Sequence, residues 1–302
     1  MSASKSVTRT TIEGRELSVS NLEKVLFPEC GFTKGQLIDY YVRIADVMLP
    51  HVKERPLTMK RFPDGVEGKF FFEKHIPSHA PPWVRSTSVS SSDGNDAITY
   101  AMVNDLPTLA WAANLGTIEI HVPLWHVGRR RRLPANPDFM VFDLDPGEGA
   151  SIVECCVVAQ WVTDELAKEG MDAIAKTSGS KGLQLYASTR PRTTWDALRD
   201  HAYDVARKLE TEHPDLVVSN MRKSLRPRRV LIDWSQNHPA KTTIGVYSVR
   251  AKSIPTVSTP VSLAEVHACA KNSDPGLLRF TTDEVLHRVQ THGDLFGPLA
   301  LG

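Results

Sequence analysis

Two aspartates spaced i, i+2 close an apolar run, Phe139-Met140-Val141-Phe142-Asp143-Leu144-Asp145, and Pro146-Gly147 follows at once. An apolar run that stops at Pro-Gly predicts a buried strand ending in a turn. Alternation along that strand puts Asp143 and Asp145 on one face and returns Leu144 to the core. Like charges held side by side repel unless a cation lies between them, and a divalent metal is the usual solution. A second apolar run, Val230-Leu231-Ile232, also ends in a carboxylate, Asp233, ahead of Trp234-Ser235-Gln236-Asn237. Were the two strands neighbours, Asp143, Asp145 and Asp233 would form a cup able to hold two Mg²⁺ or Mn²⁺ ions for an in-line phosphoryl displacement. Blander readings fit the same residues. Asp before Pro-Gly is ordinary turn chemistry, and a glycosyltransferase metal motif or a haloacid-type phosphatase strand looks alike.

Other segments carry charge or rings. Thr177-Ser178-Gly179-Ser180-Lys181-Gly182 offers two glycines whose backbone amides can converge on an anion, with Lys181 adding charge. It lacks the Walker A spacing, so P-loop chemistry is not indicated. Thr117 to Val122 alternates strictly, with Ile118, Ile120 and Val122 on one face and Glu119 and His121 on the other. A lone histidine is usually structural, but on a face shared with the carboxylates His121 is a candidate phosphate ligand. In Phe70-Phe71-Phe72 at least one ring must point away from the core, as packing or as a base-stacking platform; residue type favours packing. Basic residues cluster in Arg129-Arg130-Arg131-Arg132 and in Arg222-Lys223-Ser224-Leu225-Arg226-Pro227-Arg228-Arg229, although the net charge is only +1. A local basic track of this kind suits nucleic acid better than overall charge would show.

The elements that must position these groups can be read around them. Ser20-x-x-Glu23 predicts a capping box opening a short helix that includes Asn21. Thr33-x-x-Gln36 opens a longer one ended by Pro50. Strands are expected over 56–62 and 70–74, and a hairpin turn at Ser90–Asn95. Helices are expected over 104–115, from Ser151 to Gly170, over 194–213 and around 283–291, and a last long strand over 242–250. With 302 residues, 41% hydrophobic and 24% charged, the chain suits one large domain or two intimate ones. No bilayer-length apolar run and no signal peptide is read, so a cytoplasmic, nucleoid-associated protein is expected, with no membrane partner. Cys30, Cys155, Cys156 and Cys269 show no Cys-x-x-Cys pairing, so neither zinc nor a disulfide frame is expected.

Taken together, Phe142-Asp143-Leu144-Asp145-Pro146-Gly147-Glu148-Gly149, Ser178-Gly179-Ser180-Lys181-Gly182-Leu183 and Asp233-Trp234-Ser235-Gln236-Asn237 resemble the polymerase domain of bacterial DNA ligase D, a branch of the archaeo-eukaryotic primase superfamily. The likeness extends to Asn21 with Lys24-Val25-Leu26-Phe27-Pro28, Lys34, Lys60-Arg61, Phe71-Phe72-Glu73-Lys74, His121-Val122-Pro123 and Tyr247-Ser248-Val249-Arg250. The resemblance implies an α/β (α+β) primase-like core, with an RRM-like palm sheet packed beside an N-terminal α/β unit. On that pattern residues 1–302 form one primase-polymerase domain: an N-terminal module at about 20–135, a palm module at about 136–260 and a C-terminal helical tail at 261–302.

It also implies template-directed nucleotide addition to a 3′-hydroxyl at gaps or broken DNA ends, with NTP or dNTP substrates and a leaning toward ribonucleotides; priming is compatible with it. Asp143, Asp145 and Asp233 would hold two Mn²⁺ or Mg²⁺ ions. Ser178, Ser180, Lys181, His121 and Arg250 would contact the nucleotide, with Asn21, Gln184 and Gln236 close by. Lys34 and Lys60 would grip a downstream 5′-phosphate, Phe71 and Phe72 would stack a template base, and Arg222, Lys223 and Arg226 would form a basic DNA-contact loop. Gapped or overhanging DNA, Ku and a separate ligase are the partners implied. Two departures stand out. No Lys-x-Asp-Gly adenylation motif is read, so ligation is not expected within these residues, and Gln184 occupies a position where the family usually has histidine. An idle end-bridging module would not need all three aspartates, and a glycosyltransferase gives no reason for Lys34, Lys60 and the paired phenylalanines.

Overall fold

In the computed structural model, residues 7–90, 97–127, 134–189 and 193–299 are described. The Arg129–Arg132 run and nearly all of the turn expected at Ser90–Asn95 lie outside them. A six-stranded sheet runs in the order Val217–Val218, Val230–Asp233, Phe139–Pro146, Leu183–Ser188, Ala173–Thr177, Pro260–Val261. The Val217–Val218 strand lies parallel to its neighbour and the other pairs are antiparallel. The Phe139–Pro146 strand alternates as its sequence predicts. Met140, Phe142 and Leu144 join the core under two helices, α3 (Ile152–Lys168) and α4 (Trp195–Glu212), while Val141 enters a second core on the opposite side. Period two then places Asp143 and Asp145 on the Val141 side.

The second core is built around α1 (Lys34–Val52), opened by the Thr33/Gln36 capping box, and α2 (Leu106–Asn114). They cover a four-stranded antiparallel sheet in the order Thr243–Ile244, Thr117–Val122, Thr58–Arg61, Phe71–Glu73. The tail does not form a unit of its own. Val266 and Cys269 of α5 (Leu263–Asn272) are buried in the palm core, whereas Val285 and Leu286 of α6 (Thr282–His292) are buried in the core of α1.

Local expectations fail where the backbone leaves regular geometry. No helix opens at Ser20–Glu23: Ser20 ends the Arg15–Ser20 strand, and the chain turns through Asn21 at φ +54°, closed by Lys24 N donating to Asn21 O at 3.0 Å. Asparagine tolerates that left-handed conformation, which a helix cannot contain. Pro50 does not end α1, which continues to Val52; in the last turn a proline forfeits a single backbone bond. The strand expected over 242–250 breaks in two. Thr243–Ile244 pairs with Thr117–Val122, and Val249–Ala251 pairs with Pro255–Val257. Between them Tyr247 sits at φ +63°. Helix α5 was not expected, although Ser262 and Glu265 form a capping box that announces it.

Candidate active site

Strand register brings the three aspartates together. Asp143 lies directly opposite Asp233 on one neighbouring strand and opposite Gln184 on the other. Burial, then the charge of Asp145, hold the Asp143 carboxyl above its usual range, with Asp233 adding to the effect and Lys176 opposing it. Asp145 is raised by burial and by Asp233, against the pull of Arg226 and Arg250. Asp233 is fixed by its own turn: Oδ1 accepts from Ser235 N at 3.0 Å and Ser235 Oγ at 2.6 Å, and Oδ2 accepts from Gln236 Nε2 at 3.0 Å. Gln236 therefore orients a carboxylate. Among the described residues no three His, Cys, Asp or Glu side chains stand in a ready-made ligating arrangement. The donors that converge are nonetheless carboxylates crowded enough to disfavour their charged forms, a set that suits a hard, oxygen-seeking cation such as Mg²⁺ or Mn²⁺.

Gln184, expected beside the nucleotide, has its amide engaged within the protein. It is buried, its Nε2 donates to Asp143 Oδ1 at 3.1 Å, and its Oε1 accepts from Lys176 Nζ at 2.5 Å and from Tyr186 Oη at 3.3 Å. Lys176, a residue the sequence did not single out, is fully enclosed and also donates to Ser258 Oγ at 2.7 Å and Ile244 O at 3.0 Å. Burial brings its ammonium down to about 7, against the attraction of Asp143. The signal was its place on a strand, two residues before the Ser178 loop. A lysine on an inward strand face must either give up its charge or find hydrogen-bond partners.

The Ser178–Gly182 loop is tight. Ser178 Oγ accepts from Ser180 N at 3.2 Å and Gly182 N at 3.1 Å, so these two amides are occupied within the loop instead of being turned together toward an anion. Gly179 sits at φ +66°, and a Cβ at Gly182 would fall 2.2 Å from Leu144 O and 3.5 Å from Asp145 Oδ1. The loop thus rests directly on the strand that carries Asp143 and Asp145. Arg250 Nη1 donates to Ser178 O at 2.9 Å, and Lys181 stands exposed on the loop.

Glu119 holds the cationic side of the site together, a role sequence reading gave only as a shared face with His121. It is buried, with His121 Nε2 at 3.0 Å, Arg250 Nε at 3.3 Å and Lys60 Nζ at 3.4 Å from its carboxylate. Burial alone would raise its pKa; the His121 hydrogen bond and the Arg250, His121 and Lys60 charges bring it down to about 2. His121 itself is lowered by burial, which outweighs the Glu119 bond and charge.

All three phenylalanines are exposed, Phe71 at 43% and Phe72 at 55%, so the packing reading gives way for this segment. The Phe72 ring meets His121 edge-on at 5.9 Å, and Lys60 lies over Phe70 and Phe72. Lys60 is thereby drawn to Glu119 and the rings, whereas the cations that act on Lys34 are Lys24 and Arg61. Lys34 Nζ donates to Ser20 O at 2.6 Å, and burial followed by those two charges lowers it to about 8. Lys24, whose Nζ donates to Asp64 Oδ1 at 2.8 Å, stands on the turn that begins at Asn21, and it is the first of the two cations that act on Lys34. Arg222 and Lys223 are exposed on the basic loop, while Arg226 is half-buried and turned back on Met221 O at 2.6 Å. That loop packs on the Pro146-Gly147 turn so closely that a Cβ at Gly147 would fall 1.9 Å from Arg226 O.

The family model "LigD, primase-polymerase domain" matches residues 33–296. This chain belongs to the LigD primase-polymerase family. The LigD relatives include the multifunctional non-homologous end joining protein LigD of Mycolicibacterium smegmatis, 41% identical over 93% of this chain and 36% of its own length. The bifunctional LigD of Bacillus subtilis is 29% identical over 92% of this chain and 43% of its own length. This LigD-type chain therefore spans less than half the length of these relatives. The polymerase domain of Mycobacterium tuberculosis ligase D, solved in complex with DNA, superimposes with a TM-score of 0.87 at 40% identity, covering 94% of this chain and 98% of that one. As a LigD primase-polymerase member, the chain is a nucleotidyltransferase of the polymerase class.

Proposed function

We propose that this chain is a metal-dependent, template-directed polymerase that adds nucleotides, ribonucleotides by preference, to a 3′-hydroxyl at gaps or broken ends during end joining. The observation that carries this reading is the register pairing of Asp143 with Asp233 beside the loop that bears Lys181 and to which Arg250 of the Val249–Ala251 strand donates, since nucleotidyl transfer needs carboxylates and cations at one place. Asp143, Asp145 and Asp233 would hold two Mn²⁺ or Mg²⁺ ions, which supply charge against the developing negative charge at phosphorus. Ser178, Ser180, Lys181 and Arg250 hold the nucleotide phosphates; Glu119 keeps Arg250, Lys60 and His121 in place. Gln184 and Gln236 orient the carboxylates. The exposed Phe71 and Phe72 rings stack template bases without regard to sequence, and Lys24, Lys34 and the Arg222–Arg226 loop grip DNA phosphates.

DNA with a 5′-phosphate at the downstream side of a gap is the expected partner, and Ku and a separate ligase are the expected protein partners. Primer extension on gapped DNA, with ribo- or deoxyribonucleotides and either metal, tests the whole reading. Template-dependent addition favouring ribonucleotides is expected, and no addition by the wild type with either metal would overturn it. A dinucleotide formed on a primer-free template would add priming.

A further inference from the structure

Beyond the Ser178–Gly182 loop lies a cavity of about 440 Å³ to which no role has yet been given. Its walls include Ser180 and Lys181 of the loop, the start of α3 at Ser151, and Lys252 and Arg279 from two further segments. Among the described residues three cations line it and no carboxylate does. None of the three makes an ion pair among the described residues, whereas Lys60 and Arg250 nearby are both held by Glu119. A concave site with several cations and no internal counter-charge is built to receive a polyanion. It shares Ser180 and Lys181 with the loop whose next residue, Gly182, packs on Leu144 O beside the Asp145 carboxylate.

We propose that this cavity is the product pocket for pyrophosphate, with Lys252 and Arg279 as the residues that receive it. The proposal rests on the polymerase reading and adds the fate of the leaving group. In nucleotidyl transfer the primer 3′-oxygen forms a bond to the α-phosphorus and its proton passes to solvent. The bond from that phosphorus to the bridging oxygen breaks, and the oxygen leaves with the electron pair as pyrophosphate. The triphosphate tail that begins at the carboxylates and crosses Gly182 and Lys181 ends at the mouth of this cavity. Pyrophosphate released there meets Lys252 and Arg279 without recrossing the metal-facing strand. Burial and the charge of Arg250 lower the Lys252 ammonium, against the pull of Glu119 and with smaller help from Lys60 and Lys181.

The test uses Lys252→Gln, Arg279→Gln and the double variant, all at exposed positions. Inhibition of primer extension by added pyrophosphate should weaken at least tenfold in the double variant, since each charged phosphate contact is worth about ten- to a hundredfold. Calorimetric titration of magnesium pyrophosphate onto the protein, which needs no turnover, should show the same loss. If extension proceeds and pyrophosphate inhibits wild type and double variant equally, the pocket assignment fails while the polymerase reading stands. If extension is absent throughout, a pyrophosphate affinity lost in the double variant supports the pocket on its own. A double variant that weakens only DNA binding makes the cavity a DNA phosphate site and overturns the proposal.

Discussion

Gln184 stands directly across the sheet from Asp143 and donates its amide nitrogen to that carboxylate at 3.1 Å. The other end of the same amide accepts from the enclosed Lys176 at 2.5 Å. One side chain therefore joins a carboxylate and a buried ammonium that would otherwise be left facing each other across a gap. Replacing Gln184 by Leu leaves both without their bond, which should cost about 2–4 kcal/mol of stability by urea unfolding. Extension should fall through kcat more than through nucleotide KM, because the residue orients a carboxylate. A selective rise in KM with unchanged stability would return Gln184 to the triphosphate.

Removing one carboxylate should separate stability from activity. Asp143 and Asp145 are each disfavoured in the charged form by burial and by a neighbouring carboxylate. Asp143→Asn should abolish extension yet raise the unfolding free energy of the metal-free protein at pH 8 by about 1 kcal/mol, with DNA affinity nearly unchanged. Destabilisation together with residual extension would contradict it.

The phosphate grip should rest on Lys34 with Lys24, not on Lys60. A gapped DNA lacking its 5′-phosphate should bind the wild type about ten- to a hundredfold more weakly, and the Lys24→Ala/Lys34→Ala double variant with little difference. The pH dependence has a definite sign. The free Lys34 ammonium, lowered to about 8, loses its proton as pH rises past that value, while a bound phosphate favours the protonated form. Phosphate-dependent affinity should thus be full at pH 7 and fall between pH 8 and 9. A discrimination that is flat to pH 9, or one lost in Lys60→Ala alone, would place the pocket elsewhere.

Phe71 and Phe72 are 43% and 55% exposed, so truncating them removes little core. Phe71→Ala and Phe72→Ala should change stability by less than about 1 kcal/mol and weaken binding to DNA with a single-stranded template stretch by about 1–3 kcal/mol each. Equal affinity of the double variant for gapped DNA would show that the rings do not stack bases.

How much of this was legible in the chain differs by element. The Phe139–Pro146 run declared its strand, its buried face and the shared side of Asp143 and Asp145, because a period of two acts through adjacent residues alone. The capping boxes at Thr33 and Ser151 declared α1 and α3 for the same local reason. Tertiary structure decided what depends on contacts between distant segments. The pairing of Asp143 with Asp233 spans ninety positions of sequence, and no local pattern encodes it. Lys176 was invisible as a functional residue because its burial is compensated by Gln184, Ile244 and Ser258, drawn from three separate strands and turns. Gln184 was read as facing phosphate because its strand face was known but not what occupied that face. The three phenylalanines were read toward packing because hydrophobicity sets a preference for burial, while only the assembled fold decides which apolar rings remain outside.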